Sequence, residues 1–323
     1  MNRITVLDDY QGVVSRLDAA RLLDGIDARL QVLHEPIDTE AALISALRGT
    51  RCLVLIRERT TITAAVIAAL PELELIVQTG RLAGCIDLDA CARHGVEVRD
   101  GSGNPIAPAE LTWALILAAS RRLVPYVRQL DAGRWQRSAE RREDEALGTV
   151  LHGRTLGIWG YGRIGARVAS FGRAFGMRVI AHGREGSRGA AEQAGDHFVA
   201  DRQHFFSQAD VLSLHLRMTP DTRHIVTAEH LAAMPPHALL VNTSRAELVA
   251  PGAVLNALAA GRPGSAALDV FENEPTGVQA YLSHPRILCT PHLGFVEHDT
   301  YEAYFENAFA HVRTFLHENP RTN

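Results

Sequence analysis

The sequence predicts an α/β protein built from two parallel sheets. Strand-like and helix-like stretches alternate along nearly all of the 323 residues, which is the pattern of βαβ units. The predicted strands are short apolar runs, such as CLVLI within residues 51–57, and such runs are typical of a sheet buried on both faces. The length of the chain is that of two domains.

The first series of elements occupies about the first hundred residues. Its predicted strands are residues 4–9, 29–35, 51–57, 73–80 and 96–100. Helical patterns lie between them. In one of these patterns, Thr39 is suited to begin a helix because its hydroxyl can accept from a free backbone N–H, and Gly49 is suited to end it.

A second series starts near residue 152. Its predicted strands are residues 155–159, 177–182, 210–216, 238–244, 265–270 and 286–290. Residues 163–175 are a predicted helix, because Ile164, Val168, Phe171 and Phe175 recur on one face. This series therefore repeats the α/β pattern of the first.

Two further helical segments connect the series. Residues 104–123 predict one long apolar helix that leads from the first series to the second. Residues 300–317 carry aromatic and aliphatic side chains at helical spacing, and we expect them to pack back on the first domain. The predicted domains are thus residues 1–103 with 295–323, and residues 104–294.

Composition excludes several classes of function. Hydrophobic residues make up 46% and charged residues 22%, as in ordinary globular proteins. A net charge of −4 gives no reason to expect nucleic acid or an anionic membrane as a partner. We expect no membrane span, no secretory signal and no metal site, and the absence of C-x-x-C pairs among the four cysteines favours a reduced, cytoplasmic protein.

The stretch GYGRIG, residues 160–165, directly follows a predicted strand and opens a predicted helix. In that context Gly160 permits a tight turn, Gly162 lets a pyrophosphate approach the backbone, and Gly165 allows close packing of helix and strand. Arg163 and Ile164 begin the helix, whose free N–H groups attract phosphate. The motif therefore predicts a Rossmann-like dinucleotide site.

Three further motifs follow GYGRIG in order: LVNTSRAELV (240–249), ALDVFENEP (267–275) and TPHLGF (290–295). Together the four closely resemble the D-isomer-specific 2-hydroxyacid dehydrogenases, a family that includes glyoxylate/hydroxypyruvate reductases, phosphoglycerate dehydrogenases and D-lactate dehydrogenases. The resemblance extends over essentially the whole chain. It implies a discontinuous substrate domain and an inserted dinucleotide-binding domain around a cleft, and typically a homodimer.

The resemblance also implies an oxidoreductase that moves a hydride between a nicotinamide cofactor and a small 2-keto or 2-hydroxy acid. His292 matches the family's acid/base, and imidazole can exchange protons in both directions near neutral pH. Glu274 matches the carboxylate that pairs with this histidine and favours its charged form. Arg245 matches the arginine that holds the substrate carboxylate, for which a guanidinium has the planar fork.

Other site residues follow from the same resemblance. Asp269 is expected beside the nicotinamide, and Thr243 and Gly294 are expected to contact the cofactor. Backbone N–H groups of the loop carrying Gly80, Arg81 and Leu82 are expected to face the substrate carboxylate, although the family usually has glycine where Leu82 stands.

Arg57 ends a predicted strand. In phosphoglycerate members of the family, an arginine at the matching place reaches the substrate phosphate. A solvated strand end is the alternative interpretation of Arg57.

The segment after the second strand of the dinucleotide domain predicts the cofactor. An NAD site usually places Asp there to bind the ribose hydroxyls, and that carboxylate would repel a 2′-phosphate. This chain has Gly183 and Arg184, followed by Ser187, and a guanidinium matches phosphate geometry. We therefore expect NADP, with use of both NADP and NAD as the alternative.

Three functions remain open. Reduction of glyoxylate or hydroxypyruvate is the expected activity. A nucleotide-sensing protein like the C-terminal-binding corepressors and a phosphite dehydrogenase would keep the same three residues, whereas formate dehydrogenases have glutamine where Glu274 stands. Trp135 is a candidate to enter the partner subunit's active site, with a solvated connector as its alternative.

Overall fold

The computed structural model describes residues 1–82 and 84–320 and divides into two compact units. Unit 1 consists of Met1–Asn104 and Glu297–Asn323, and unit 2 of Pro105–Val296. The first unit boundary follows Asn104, one residue later than the predicted boundary after residue 103. The second follows Val296, two residues later than the predicted boundary after residue 294. Residues 321–323 of the predicted first domain lie outside the described residues.

Unit 1 begins with a five-stranded parallel sheet in the order β2-β1-β3-β4-β5. Its elements are β1 (Asn2–Val6), the 3-10 helices Val14–Arg16 and Asp18–Leu23, β2 (Ala28–Val32), α1 (Glu40–Leu47), β3 (Cys52–Leu55), α2 (Ala64–Ala68), β4 (Leu75–Gln78), α3 (Leu88–His94) and β5 (Glu97–Asp100). As predicted, the hydroxyl of Thr39 caps α1 by accepting from the N–H of Ala42 at 3.3 Å.

Unit 2 holds a seven-stranded parallel sheet. In chain order its elements are α4 (Ile106–Ser120), α5 (Leu123–Asp131), a 3-10 helix (Arg142–Asp144), β6 (Thr155–Trp159), α6 (Arg163–Ala174), β7 (Arg178–His182), α7 (Glu185–Gln193), β8 (His197–Phe198), α8 (Arg202–Gln208), β9 (Val211–Leu214), α9 (Ala228–Ala233), β10 (Leu239–Asn242), a 3-10 helix (Ala246–Leu248), α10 (Ala253–Ala259), β11 (Ser265–Leu268), α11 (Gln279–Leu282) and β12 (Ile287–Cys289). The strand order is β12-β11-β10-β9-β6-β7-β8.

Helix α12 (His298–Glu318) returns the chain to unit 1. The carboxylate of Glu302 accepts from the N–H groups of Asp18 and Ala19 at 2.8 and 3.0 Å. At the other end, Arg51 donates to the carbonyl of Asn319 at 2.7 Å. The C-terminal aromatic helix thus packs on the first sheet, as its helical spacing predicts.

The structure differs from the prediction in two places. The helix predicted over residues 104–123 ends at Ser120, because Arg122 adopts the left-handed conformation (φ 53°, ψ 38°), and α5, which begins at Leu123, was not predicted. Strand β8 was not predicted, since its two residues are too few to show an alternating pattern.

The strand order creates one position in unit 2 that is suited to a ligand. From β6 the chain moves first to β7 on one side and later to β9 on the other. In open parallel sheets, ligands bind at the carboxyl ends of the strands where the order reverses. The GYGRIG stretch begins directly after Trp159, the last residue of β6, and so lies at this reversal.

Candidate active site

The three glycines after β6 are constrained in different ways. Gly160 has a φ of 98°, and a Cβ there would lie 2.6 Å from the carbonyl oxygen of His215. A Cβ on Gly165 would lie 2.2 Å from the carbonyl oxygen of Gly160. By contrast, a Cβ on Gly162 would meet no described atom within 4 Å. Gly160 and Gly165 are therefore required by the fold, whereas Gly162 keeps open a space outside it.

Helix α6 points its amino end into that open space. Gly162 is its N-cap, and no side chain among the described residues caps its first N–H groups. The first turn, which begins at Arg163 and Ile164, thus presents the partial positive charge of a helix amino end. An open cradle of this kind fits the pyrophosphate of a dinucleotide.

The loop after β7 places two arginines in different surroundings. Arg184 is the N-cap of α7 and its side chain is exposed. Arg188 lies over the ring of Phe198 at 4.8 Å and pairs with Glu185 at 3.4 Å. Arg184 is therefore the more available cation at this strand end.

Gly183 and Ser187 are close together in the same loop. Gly183 has a φ of 157°, and a Cβ there would lie 2.9 Å from the hydroxyl oxygen of Ser187. The absence of a side chain at position 183 therefore gives Ser187 its room.

Arg245 follows β10 in a turn that is organised by one buried amide. The Oδ1 atom of Asn242 accepts from the N–H of Ser244 at 3.0 Å, and its Nδ2 atom donates to the carbonyl of Arg245 at 2.8 Å. Arg245 also donates from Nη1 to the carbonyl of Ser244 at 2.7 Å. Asn242 was missed by the sequence argument, although a buried amide at a strand end often organises the following turn.

Thr243 lies between these residues, and its hydroxyl oxygen is 2.7 Å from that of Thr112. Because Thr112 donates to the carbonyl of Pro108 at 2.6 Å, Thr243 is the donor to Thr112. Its oxygen keeps acceptor capacity for a ligand.

His292 and Glu274 form a hydrogen-bonded pair. Nδ1 of His292 is 2.7 Å from Oε2 of Glu274, while Oε1 accepts from the N–H of Phe271 at 2.8 Å. Burial opposes ionisation of Glu274, but the hydrogen bond and charge of His292, the N–H of Phe271 and the charge of Arg245 together lower its pKa below the ordinary value. The structure therefore brings all three predicted catalytic residues into one electrostatic site.

The loop that carries His292 is built around Asp269. This residue follows β11 and is fully buried. Its Oδ1 accepts from the hydroxyl of Thr290 at 2.6 Å and the N–H of Leu293 at 2.8 Å, and its Oδ2 accepts from the N–H of Gly294 at 3.0 Å. Burial raises the pKa of Asp269 against the opposing effect of these bonds.

Asp269 thereby fixes the backbone on which the imidazole stands. His292 has a left-handed φ of 52°, a conformation that a non-glycine residue keeps only when its surroundings impose it. The contact of Asp269 with the cofactor stays a prediction, since its carboxylate is held within the protein.

The substrate residues predicted in unit 1 lie at the carboxyl ends of β3 and β4. The guanidinium of Arg57 lies against Gly80, where a Cβ would be 1.9 Å from Nη1, and it pairs with Glu58 at 3.1 Å. The N–H of Leu82 donates to Asp100 at 3.1 Å, and its contact with the substrate carboxylate stays a prediction. The side chain that replaces the usual glycine is exposed, as is that of Arg81.

A comparison with known protein families identifies the family of this chain. The sequence model described as "D-isomer specific 2-hydroxyacid dehydrogenase, NAD binding domain" matches residues 113–294. The chain belongs to the D-isomer specific 2-hydroxyacid dehydrogenase family.

Relatives within this dehydrogenase family carry more than one activity name. A glyoxylate reductase of Aeropyrum pernix is 36% identical over 83% of this chain and 80% of its own length. A D-3-phosphoglycerate dehydrogenase of Synechocystis sp. is 34% identical over 84% of this chain, which spans about half (48%) of that relative. The crystal structure of a phosphoglycerate oxidoreductase from Vibrio cholerae o395 matches with a TM-score of 0.94 and 49% identity, over 99% of this chain and 100% of that one.

These comparisons support an α/β oxidoreductase that uses a nicotinamide cofactor and acts on small 2-hydroxy or 2-keto acids. Within residues 1–82 and 84–320, no helix is long and apolar enough to cross a bilayer. In the same residues, no group of three His, Cys, Asp or Glu side chains could hold a metal ion.

Proposed function

We propose that this dehydrogenase reduces a small 2-keto acid to the D-2-hydroxy acid and uses NADPH as its preferred cofactor. The pair of His292 and Glu274, 2.7 Å apart and within the field of Arg245, is the observation that carries the proposal. A proton donor held by a carboxylate beside a guanidinium is what the reduction of a keto acid requires.

The residues have separate roles in this reaction. The nicotinamide, when bound, supplies a hydride to the carbonyl carbon of the substrate. Because Nδ1 of His292 faces Glu274, its Nε2 is the atom that gives a proton to the carbonyl oxygen. Arg245 holds the substrate carboxylate and draws electron density from the carbonyl. In the oxidative direction Nε2 of His292 accepts the proton of the substrate hydroxyl, and the nicotinamide would accept the hydride.

The preference for NADPH rests on the loop after β7. Gly183 leaves no carboxylate at the strand end to repel a 2′-phosphate, and the exposed Arg184 offers it a guanidinium. Ser187, next to Gly183, can donate a hydrogen bond to the same phosphate. Use of both cofactors is the alternative outcome.

Glyoxylate and hydroxypyruvate are the substrates that we propose first. The position of Arg57 against Gly80, at the ends of β3 and β4, favours a second candidate, a keto acid with a phosphate at its far end. Two of the relatives described above are named for phosphoglycerate.

A substrate panel tests these proposals. The purified protein is assayed with glyoxylate, hydroxypyruvate, 3-phosphohydroxypyruvate, pyruvate and phenylpyruvate, each with NADPH and with NADH. The proposal expects the highest kcat/KM for glyoxylate or hydroxypyruvate with NADPH. A preference for the phosphorylated keto acid supports the second candidate, and no turnover with any of them supports a nucleotide-binding protein or a phosphite dehydrogenase.

We also propose that the protein is a cytoplasmic homodimer. Three apolar side chains at helical spacing on α5, Leu123, Val127 and Leu130, are each more than half exposed (51%, 54% and 53%). Leu147 and Val150 add to the exposed apolar surface of unit 2, and an apolar stripe of this kind is typical of a subunit interface. Light scattering of the wild type and of Val127→Glu tests it, since the variant should be monomeric.

A further inference from the structure

The side chain of Tyr161, the second residue of GYGRIG, lies inside unit 2. Its ring is buried, with only 6% of the residue exposed. Its hydroxyl donates to Oδ2 of Asp196, a carboxylate whose side chain is 2% exposed. Burial and the neighbouring carboxylate raise the pKa of Tyr161, so the hydroxyl keeps its proton and remains the donor.

Arg173 reaches the same carboxylate from the other end of α6. Its Nη1 is 2.5 Å from Oδ2 of Asp196 and 3.4 Å from the hydroxyl oxygen of Tyr161. Tyr161 precedes the N-cap of α6, and Arg173 belongs to its last turn. A single buried carboxylate therefore ties both ends of this helix to the turn that precedes β8.

We propose that Tyr161, Asp196 and Arg173 form a clamp that positions the pyrophosphate-binding end of α6. This inference rests on the proposed dinucleotide binding and adds positioning residues to it. The donors of the cradle are backbone N–H groups, which cannot be re-aimed by a change of rotamer. Their direction depends on the placement of the helix and of the loop before it, and the clamp fixes both.

The placement of the clamp makes its effect specific. Gly160 and Gly162, on either side of Tyr161, form the cradle, so a movement of residue 161 moves the cradle directly. His292 and Glu274 lie after β11, in another part of the sheet. Loss of the clamp should therefore weaken binding of the cofactor and leave proton transfer unchanged.

The test compares Tyr161→Phe with the wild type. The variant keeps the ring and removes only the hydroxyl. Tyr126→Phe is the matched control, because the hydroxyl of Tyr126 is exposed. Its one hydrogen bond given by the structure is long, at 3.5 Å to a backbone carbonyl. The dissociation constants of NADPH and NADH are measured by fluorescence, kcat is measured at saturating cofactor, and the melting temperature is recorded for each protein.

We expect Tyr161→Phe to raise both dissociation constants by the same factor, roughly tenfold, because the lost bond is to a charged group. Its kcat at saturation should stay that of the wild type. Should Tyr161→Phe not fold, Arg173→Gln removes the second contact to Asp196 at a side chain that is 37% exposed. This variant should weaken binding of both cofactors in the same way.

Two results would overturn the clamp. Unchanged dissociation constants with a lowered melting temperature would make Tyr161 a purely structural residue. Equal losses in kcat at saturation and in affinity would place its effect outside the cradle. If the wild-type protein binds neither dinucleotide, the proposed function is wrong, and the proposed role of the clamp is wrong as well.

Discussion

Glu274 holds His292 by Nδ1 at a distance of 2.7 Å, while its second oxygen is held by the N–H of Phe271. The carboxylate is therefore fixed at both oxygens, and the imidazole is fixed by the carboxylate. With Glu274 ionised, this arrangement places the proton of the pair on Nδ1 of His292 and leaves Nε2 for the proton transfer that we propose.

Replacement of His292 by alanine should lower kcat by about 10²–10⁴-fold, the usual contribution of general acid catalysis. The dissociation constant of NADPH should not change, because the cradle after β6 is intact. His298→Ala is the control, since that histidine is exposed. Near wild-type turnover in His292→Ala would remove this residue from the mechanism.

Replacement of Glu274 by glutamine should lower kcat for keto-acid reduction. The lowered pKa of Glu274 means that it remains ionised throughout the neutral range. Glutamine keeps the shape of the side chain but removes this charge beside His292, so kcat should fall while the dissociation constant of the cofactor stays the same.

The free energy of unfolding at acidic pH gives an independent measurement on the Glu274 carboxylate. A depressed folded-state pKa stabilises the fold above the unfolded-state value, and this contribution is lost as pH falls through the lowered folded-state pKa. Wild type should thus lose stability relative to Glu274→Gln as the pH is lowered below about 4.5. Glu272→Gln serves as the control for both measurements. If Glu274→Gln gave the same results as Glu272→Gln, an electrostatic role of Glu274 would be excluded.

Replacement of Arg245 by lysine should lower kcat/KM for the keto acid by at least about tenfold, because an ammonium cannot reproduce a two-pronged bond to a carboxylate. The dissociation constant of the cofactor should stay the same. Arg217→Lys, at an exposed position, controls for the general effect of the exchange. Unchanged kinetics in Arg245→Lys would mean that another group holds the substrate carboxylate.

Gly162→Ala and Gly165→Ala should separate binding from folding. A methyl group at 162 meets no described atom, so the fold should be kept while dinucleotide binding weakens about tenfold or more. At 165 the methyl would lie 2.2 Å from a backbone oxygen. That clash costs about 1–3 kcal/mol, which exceeds the roughly 1 kcal/mol that alanine gains over glycine in a helix.

Melting curves and cofactor titrations of the two glycine variants give the answer. We expect the lower melting temperature in Gly165→Ala and the weaker binding, at wild-type stability, in Gly162→Ala. Equal affinity of Gly162→Ala and wild type would show that the pyrophosphate does not lie on this loop.

Arg184→Ala should weaken NADPH roughly 10- to 150-fold, the effect of one hydrogen bond to a charged group, and leave NADH almost unchanged. Arg188→Ala is the comparison, because Arg188 is already engaged by Phe198 and Glu185. Titration of each protein with both cofactors distinguishes the two arginines. A wild type that favours NADH, or equal losses for both cofactors in Arg184→Ala, would contradict the preference for NADP.

Much of the fold could be predicted because local patterns carry it. Every strand predicted from a short apolar run is present, and Thr39 caps its helix, since both depend on neighbours in the sequence. The sequence was insufficient where a conformational or long-range effect sets the structure. The left-handed Arg122 ends the predicted helix before α5 begins, and β8 exists only as the edge partner of β7.

The candidate site divides in the same way. Arg245, Glu274 and His292 could be named before any distance was known, because their motifs in the sequence resemble those of the dehydrogenase family. Their surroundings became visible only in the folded protein. It buried Asp269 as the organiser of the His292 loop, gave the N–H of Leu82 to Asp100, and joined Tyr161 and Arg173 through Asp196. A hydrogen bond between residues distant in sequence depends on how strands and helices pack, and no local pattern encodes that packing.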